Sequence, residues 1–326
     1  MKAVIPVAGI GKRLRPLTYT SPKALVTVAG KPILGHIVDG LIGMGVTELI
    51  PIIGYKGEQI REYLSAEYDM PMNFVVQTEQ KGIAHAVDLT REFGDGGELI
   101  IILGDTIIDT DFAGIPGAGD YVLGVRAVED PRRFGICEVR DGIITGIVEK
   151  PDDPKGNLAI VGLYYFRYST PLYEACRYVI DNGIRTKGEF QITDALSRMI
   201  DCGTRFTPYE IDNWFDCGKV ETLLETNRIL LEGRQSADPG HNSVIIAPCY
   251  VDAGSRLENS VIGPYVTVAD GCVIRNSIVS NSILNNGSSL SNIVLDSSVI
   301  GSGAVVTGRR SCLNISDDSE VDLGQG

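Results

Sequence analysis

The chain of 326 residues is poor in the groups that would place it in several common classes. It has three histidines, and none stands beside the charged motifs described below, so a mechanism built on imidazole proton transfer has little to work with. Seven cysteines, at 137, 176, 202, 217, 249, 272 and 312, form no CxxC pair and leave an odd one over. That excludes a zinc site or a disulfide framework and leaves buried thiols in a reducing compartment. No apolar run reaches the ~20 residues that cross a bilayer, and the start carries no secretory apolar segment. The expectation is a cytoplasmic protein with no membrane partner. Basic residues number 29 against 42 acidic ones, a net charge of −13, which argues against nucleic acid as a partner. Any anion site must therefore be built from locally gathered cations.

Such a gathering stands near the start. An apolar run, Ala3-Val4-Ile5-Pro6-Val7-Ala8, reads as a buried first strand that ends in Gly9-Ile10-Gly11-Lys12-Arg13-Leu14-Arg15-Pro16, followed by Ser21-Pro22-Lys23. Glycine lets backbone N–H groups close on a ligand, and such groups bind anions when they share one concavity. Arg13, Arg15 and Lys23 add fixed positive charge, a combination suited to a nucleoside triphosphate. The turn is not a Walker A loop, because Gly11-Lys12 is followed by Arg13 where Ser or Thr is required. It is not a dinucleotide turn either, for it has no third glycine and no acid ending the second strand. An ordinary strand-to-helix turn with solvated basic side chains is the structural alternative.

At this length two domains are expected. Up to about residue 233, strand-like runs at 48–53, 72–77, 98–103, 121–128, 160–166 and 204–211 alternate with helical patterns. The helices fall at 32–45, 58–64, 83–93, 172–180, 190–202 and 219–232. Alternation of this kind predicts an α/β fold, a Rossmann-like mixed and mostly parallel sheet flanked by helices. Asp141-Gly142, between two β-rich runs, predicts an antiparallel hairpin insertion. Ser236 to Gly240 reads as a linker. Beyond it, Asn242-Ser243-Val244-Ile245, Asn259-Ser260-Val261-Ile262 and Asn276-Ser277-Ile278-Val279 recur every 17 residues. Three hexapeptides per coil make ~18 residues, so the C-terminal part is expected to be a parallel β-helix. The boundaries drawn are 1–235 for the first domain, 241–316 for the β-helix and 317–326 for a frayed tail.

Further chemistry-bearing groups lie at strand ends. Leu99 to Leu103 is a continuous apolar strand ending at Gly104-Asp105-Thr106, where open α/β sheets gather ligands. A hard carboxylate there suits Mg²⁺ shared with substrate phosphates, and Asp216, in Trp214-Phe215-Asp216-Cys217-Gly218, is a second candidate. Either aspartate alone is explained as well by a helix cap or turn. Glu149-Lys150-Pro151 offers an acid for sugar hydroxyls and a base for a phosphate, or else a surface ion pair. Arg185, Lys187 and Gly188-Glu189 precede a helix start that also suits an anion.

In this order the motifs resemble those of the sugar-1-phosphate nucleotidylyltransferases. The branch most similar is the glucose-1-phosphate thymidylyltransferases that carry a C-terminal left-handed β-helix. The resemblance rests on Gly9-Ile10-Gly11-Lys12-Arg13-Leu14 with Pro22-Lys23, Gln77 with Gly82, Leu103-Gly104-Asp105 and Phe134-Gly135. It continues through Glu149-Lys150-Pro151, Val161-Gly162-Leu163-Tyr164, Gly188-Glu189 and Asp216, and so spans essentially the whole chain. It implies a Mg²⁺-dependent enzyme that joins a sugar 1-phosphate, glucose 1-phosphate first, to dTTP and releases pyrophosphate. It also implies that Ala8, Gly9 and Gly11 lie against the nucleotide, with Arg13 and Lys23 on its triphosphate. Gln77 and the Gly82 backbone would meet the base, and Asp105 and Asp216 the metal. Gly135, Glu149 and Val161 would hold the sugar, and Lys150 and Lys187 its phosphate. The residues implied to act in catalysis are Arg13, Lys23, Asp105, Lys150 and Asp216.

Several positions depart from the family pattern. Ala8 stands where glycine is common, Lys12 where threonine is frequent, Thr106 for asparagine, and Lys187 for arginine; Cys217 and Lys219 flank Asp216 where small hydroxyl residues are common. Gln77-Thr78-Glu79-Gln80 lacks prolines often found beside the base-reading glutamine. These changes leave phosphate and metal chemistry intact and bear on base and sugar identity. UTP or another triphosphate is the alternative donor, and a non-catalytic regulatory subunit of the same plan the alternative role. Retention of all five charged site residues speaks against the latter. Acyl transfer by the β-helix is not expected, since residues 242–326 hold no histidine base. Assembly into a homo-oligomer is its expected role, because its open end leaves strand edges to cover.

Overall fold

The computed structural model describes residues 1–233 and 242–308, which fall into two compact units, Met1–Leu230 and Leu231–Gly326. The expected linker at 236–240, His241, the boundaries at 235, 241 and 316 and the tail at 317–326 lie outside the described residues.

The first unit opens with β1 (Lys2–Pro6), the small ribbon β2 (Thr27–Val28) and β3 (Lys31–Pro32), and α1 (Ile33–Gly43). Next come β4 (Glu48–Ile53), α2 (Gly57–Glu67), β5 (Val75–Val76), α3 (Ile83–Asp88), β6 (Leu99–Ile102) and β7 (Thr106–Asp109). Then follow α4 (Ile115–Ala118), β8 (Tyr121–Ala127), β9 (Gly135–Arg140), β10 (Ile143–Glu149) and β11 (Leu158–Phe166). The unit closes with α5 (Thr170–Asp181), α6 (Ile192–Asp201), β12 (Thr207–Glu210), β13 (Asn213–Asp216) and α7 (Val220–Leu231).

The main sheet runs β10-β9-β11-β6-β1-β4-β5, with β8 beside β11 and β12 beside β8. Its β6-β1-β4-β5 half is parallel, and β11 joins β6 antiparallel, so the sheet is mixed. All four residues of β6 are buried, as expected of a strand covered on both faces. The core joins Val4, Ile50, Ile101 and Leu123 from the sheet to Ala84, Leu172 and Leu196 from the helices. The hairpin forms as expected: Ile143 pairs with Arg140, and Asp141 and Gly142 both take positive φ, 50° and 76°.

Some elements differ from expectation. α3 stops at Asp88 rather than near 93, because the Thr90 hydroxyl turns back to the Val87 carbonyl and meets the Tyr173 hydroxyl. The strand expected at 72–77 shrinks to Val75–Val76, with Met72 making an isolated bridge to Leu49. β7 and β13, which the sequence pattern did not reveal, pair antiparallel with Thr106 opposite Asp216.

The second unit is a β-helix of three parallel four-stranded sheets among the described residues. One sheet takes Val244–Ile245, Val261–Ile262, Ile278–Ser280 and Val294–Asp296. Val244 pairs with Val261 and Val261 with Ile278, and the next step, Ile278 to Val294, is one residue shorter. Ile262, Val266, Ile274, Val279, Leu284 and Leu290 fill its interior. Serines mark the corners inside: the Ser243 hydroxyl accepts from Ser260 N–H, and Ser260 in turn from Ser277 N–H. These in-register side chains satisfy backbone donors that tight turns would otherwise strand.

Candidate active site

β1 delivers the glycine turn, and the turn's shape follows from Gly11. Its φ is +67°, and a Cβ there would fall 2.9 Å from the Lys23 Cβ. Only glycine lets the chain fold so tightly against the segment carrying Lys23. The Thr18 hydroxyl closes the loop by donating to the Gly11 carbonyl at 2.9 Å. Arg13 projects exposed from the first turn, with no acid within ion-pair distance among the described residues. Gly9 borders open space, since a Cβ there would meet nothing within 4 Å.

These residues line a cavity of about 420 Å³. Ala8, Gly9, Gly11, Arg13, Lys23, Gln77 and Gly82, the seven positions expected around the nucleotide, all lie in its wall. Gln77 follows β5, and its N–H donates to the Ile53 carbonyl at 2.8 Å. Its side chain is almost wholly buried, with Nε2 reaching the Gly82 carbonyl and His85 Nδ1, both at 3.4 Å. His85 Nδ1 then accepts, which requires a neutral ring. Burial, aided by the nearby Lys81 charge, holds the His85 pKa below its usual value.

A second cavity, of about 640 Å³, is lined by Asp105, Gly135, Glu149, Lys150, Val161 and Asp216, among others. Glu149 ends β10 with its carboxylate nearly buried; Oε1 faces Lys150 Nζ at 3.2 Å, and Oε2 accepts from the Thr193 hydroxyl at 2.9 Å. Lys150 N–H donates to the Phe134 carbonyl at 3.0 Å, which ties this strand end to the loop before Gly135. Lys187 lines neither cavity, for its ammonium pairs with the exposed Asp152 at 3.1 Å.

The two cavities share Arg13, Ile83, Leu103, Asp105 and Glu189 in their walls. Asp105 sits just beyond β6, its Oδ2 accepting from Lys23 Nζ at 3.0 Å. Cys217 N–H donates to the Asp105 carbonyl at 3.3 Å, so pairing of β13 with β7 carries Asp216 alongside Asp105. Cys217 itself is buried, its thiol pKa pushed up to about 12 by desolvation, and so it is a packing group. Among the described residues no cluster of three or more His, Cys, Asp or Glu side chains is gathered for a metal. Two hard carboxylates in one cavity wall, Asp105 and Asp216, are the donor set of an ion that takes its remaining ligands from phosphates and water.

Three further groups went unnoticed in the sequence. Arg133 places Nη2 3.6 Å from Asp216 Oδ2. Thr193 orients Glu149, as described. Trp214 packs edge-on to Phe134 at 4.9 Å, and its buried Nε1 donor has no partner among the described residues. The Arg132-Arg133 pair beside Phe134-Gly135 was the available signal for the first. Nothing local marks the other two.

A family model described as nucleotidyl transferase matches residues 2–233. A glucose-1-phosphate thymidylyltransferase of Streptomyces griseus is 32% identical over 337 residues, covering 94% of this chain and 94% of that one. The UTP--glucose-1-phosphate uridylyltransferase AglF of Haloferax volcanii is 36% identical over 243 residues, covering 71% of this chain and 97% of its own. The crystal structure of a UDP-glucose pyrophosphorylase complexed with UDP-glucose matches in fold, with a TM-score of 0.63 at 22% identity, over 72% of this chain and 99% of that one. The chain belongs to the nucleotidyl transferase family. Within it, the chain is a sugar-1-phosphate nucleotidyltransferase. No helix among the described residues is long and apolar enough to cross a membrane.

Proposed function

We propose that the chain joins glucose 1-phosphate to dTTP, giving dTDP-glucose and pyrophosphate. The supporting observation is the junction of the two cavities, where Arg13 and Asp105 belong to both walls. One cavity is lined by the residues assigned to the nucleotide and the other by those assigned to the sugar phosphate except Lys187, so two substrates can meet there.

A phosphate oxygen of the sugar 1-phosphate attacks the α-phosphorus in line. A new P–O bond forms as the bond to the departing pyrophosphate oxygen breaks. The attacking group has a second pKa near ~6 and is already mostly a dianion at neutral pH, so no general base is required. What the protein supplies is alignment and positive charge. Lys23 and Arg13 contact the triphosphate, with backbone at Ala8, Gly9 and Gly11 closing beneath it. Gln77 and the Gly82 backbone read the base. Glu149, with backbone at Gly135 and Val161, holds sugar hydroxyls. Lys150 neutralises the sugar phosphate. Lys187 would join it only by leaving Asp152, a surface pair worth ~0–1 kcal/mol. Asp105 and Asp216 would hold Mg²⁺, which fits their oxygen donors and supplies charge neutralisation at the phosphates when bound.

UTP is the second reading for the donor. A glutamine amide can meet thymine and uracil through the same edge, and AglF, by its name, uses UTP. Pyrophosphate release measured with dTTP, UTP, CTP, ATP and GTP, each with glucose 1-phosphate, tests the assignment. Preference for dTTP supports it, and preference for UTP replaces it. We further propose that the β-helix serves assembly with a second copy, which light scattering with and without residues 242–326 would test.

A further inference from the structure

Asp105, which lines both cavities, and Asp216, which lines the second, each face a cation, but the two pairs differ. Lys23 and Asp105 form a direct hydrogen bond at 3.0 Å. Arg133 Nη2 and Asp216 Oδ2 stand 3.6 Å apart, an attraction of charges without a hydrogen bond. Arg133 is half exposed and Asp216 about one-quarter exposed, so solvent weakens the pair further. Water and counter-ions compete at such a distance, and the contact is readily exchanged.

The surroundings leave Arg133 somewhere to go. It ends the short turn Pro131–Arg133, which Asp130 caps by accepting from Arg132 N–H at 3.3 Å, so its backbone is held by a hydrogen bond while its side chain has only the long ion pair and the ring contact. The side chain lines the cavity assigned to the sugar 1-phosphate, together with Lys150. On the other flank of Asp216 the chain has Gly218. A Cβ there would lie 2.7 Å from Asp216 Oδ1 and 2.9 Å from Arg13 Nη2. The missing side chain lets the Asp216 carboxylate and the Arg13 guanidinium draw close on that side. The guanidinium also lies over the Phe134 ring, 5.5 Å from its centroid, and Phe134 packs on Trp214, the one tryptophan of the chain. Movement of Arg133 is therefore reported by an intrinsic fluorophore.

We propose that Arg133 is an exchangeable counter-cation of Asp216. In the substrate-free protein it neutralises the carboxylate. When a divalent cation takes Asp216, the guanidinium turns into the same cavity and onto the phosphoryl oxygens of the sugar 1-phosphate. The chain thereby avoids facing an empty cavity with two bare carboxylates, and it reuses the released cation where anionic charge arrives. This inference rests on the assignment of Asp105 and Asp216 as metal-holding groups.

The test is binding of Mn²⁺ to the full-length, substrate-free protein, read from the electron paramagnetic resonance of free Mn²⁺. Removing a competing cation should tighten binding: Arg133→Gln is expected to bind Mn²⁺ about fivefold more tightly than the wild type, the worth of one half-exposed ion pair. Arg133→Lys, which keeps the charge, should stay within about twofold of wild type on the same reasoning. Mg²⁺ titrations followed by Trp214 fluorescence should give the same order. Kinetically, Arg133→Gln should raise the KM for glucose 1-phosphate and leave that for the triphosphate unchanged. If Asp216→Asn abolishes Mn²⁺ binding while Arg133→Gln leaves it at the wild-type value, the counter-cation role is overturned and the metal assignment stands. If Asp105→Asn and Asp216→Asn both bind Mn²⁺ normally, the metal assignment itself fails, and the inference with it.

Discussion

Lys23 donates to Asp105 across 3.0 Å, joining the segment behind the glycine turn to the end of β6. Lys23 is nearly buried, whereas Asp105 is about half exposed, so the lysine is fixed and the carboxylate is free to take another partner. Lys23→Met and Asp105→Asn should each lower turnover by about 10²–10³, the usual loss when one preorganised charge is removed from a phosphoryl-transfer site. Saturating Mg²⁺ should not rescue either variant. Thermal melting should change little, since a partly solvated pair contributes only ~0–1 kcal/mol. Pyrophosphate release and circular dichroism check both halves.

Gln77 is held by bonds from Nε2 alone, both long, which leaves its Oε1 available to a base. Gln77→Ala should raise the triphosphate KM about tenfold, the worth of one lost hydrogen bond near 1.4 kcal/mol. Discrimination among the five triphosphates should weaken with it, and the KM for glucose 1-phosphate should stay put. Initial-rate kinetics with each substrate varied in turn gives the answer.

Lys150 and Lys187 separate two views of the sugar phosphate. Lys150 lines the cavity beside Glu149, and Lys187 is drawn to Asp152 instead. Lys150→Ala should raise the KM for glucose 1-phosphate by about 10–100-fold, as expected for a charge-assisted contact. Lys187→Ala should cost less, because its existing pair must first be broken. A reversed order of the two effects would show that Lys187 leaves Asp152 on binding.

Acid should disturb the corner around Gln77 through His85. Its pKa is lowered by burial, so the folded protein resists a proton that the unfolded chain accepts. The stability that neutral His85 contributes is complete above about pH 6.5 and falls as pH drops through the lower folded-state value. Protonation also places a donor against the Gln77 amide donor. The triphosphate KM should therefore rise in acid, and only at pH values below the ordinary histidine range because burial lowers the His85 pKa; a His85→Gln variant should flatten that limb of the profile.

In the second unit, Ile274 is wholly buried and Val294 three-quarters exposed. Ile274→Ala should cost about 2–5 kcal/mol in urea unfolding. Val294→Thr should stay within about 0.5 kcal/mol.

Local patterns carried much of the fold and site. The glycine turn, the all-apolar β6 ending at Asp105, the Asp141-Gly142 hairpin and the repeats of the β-helix each depend on a few adjacent residues, and each is found where expected. What escaped depends on pairing between distant segments. Asn213-Trp214-Phe215-Asp216 is too short and irregular to announce a strand, yet its ladder with Thr106–Asp109 is what brings Asp216 to Asp105. Arg133 and Thr193 likewise acquire their roles from Asp216 and Glu149, residues remote in sequence. The early end of α3 follows from the Tyr173 hydroxyl, contributed by a later helix.

Because Arg13 and Asp105, with Ile83, Leu103 and Glu189, form the party wall between two chambers, the outlying ends can be redesigned separately while the middle cannot. On the proposed assignment, Gln77 at one extremity and Glu149 at the other are independent handles for engineering a new base or a new hexose. Changes in the shared wall would cripple every such variant alike.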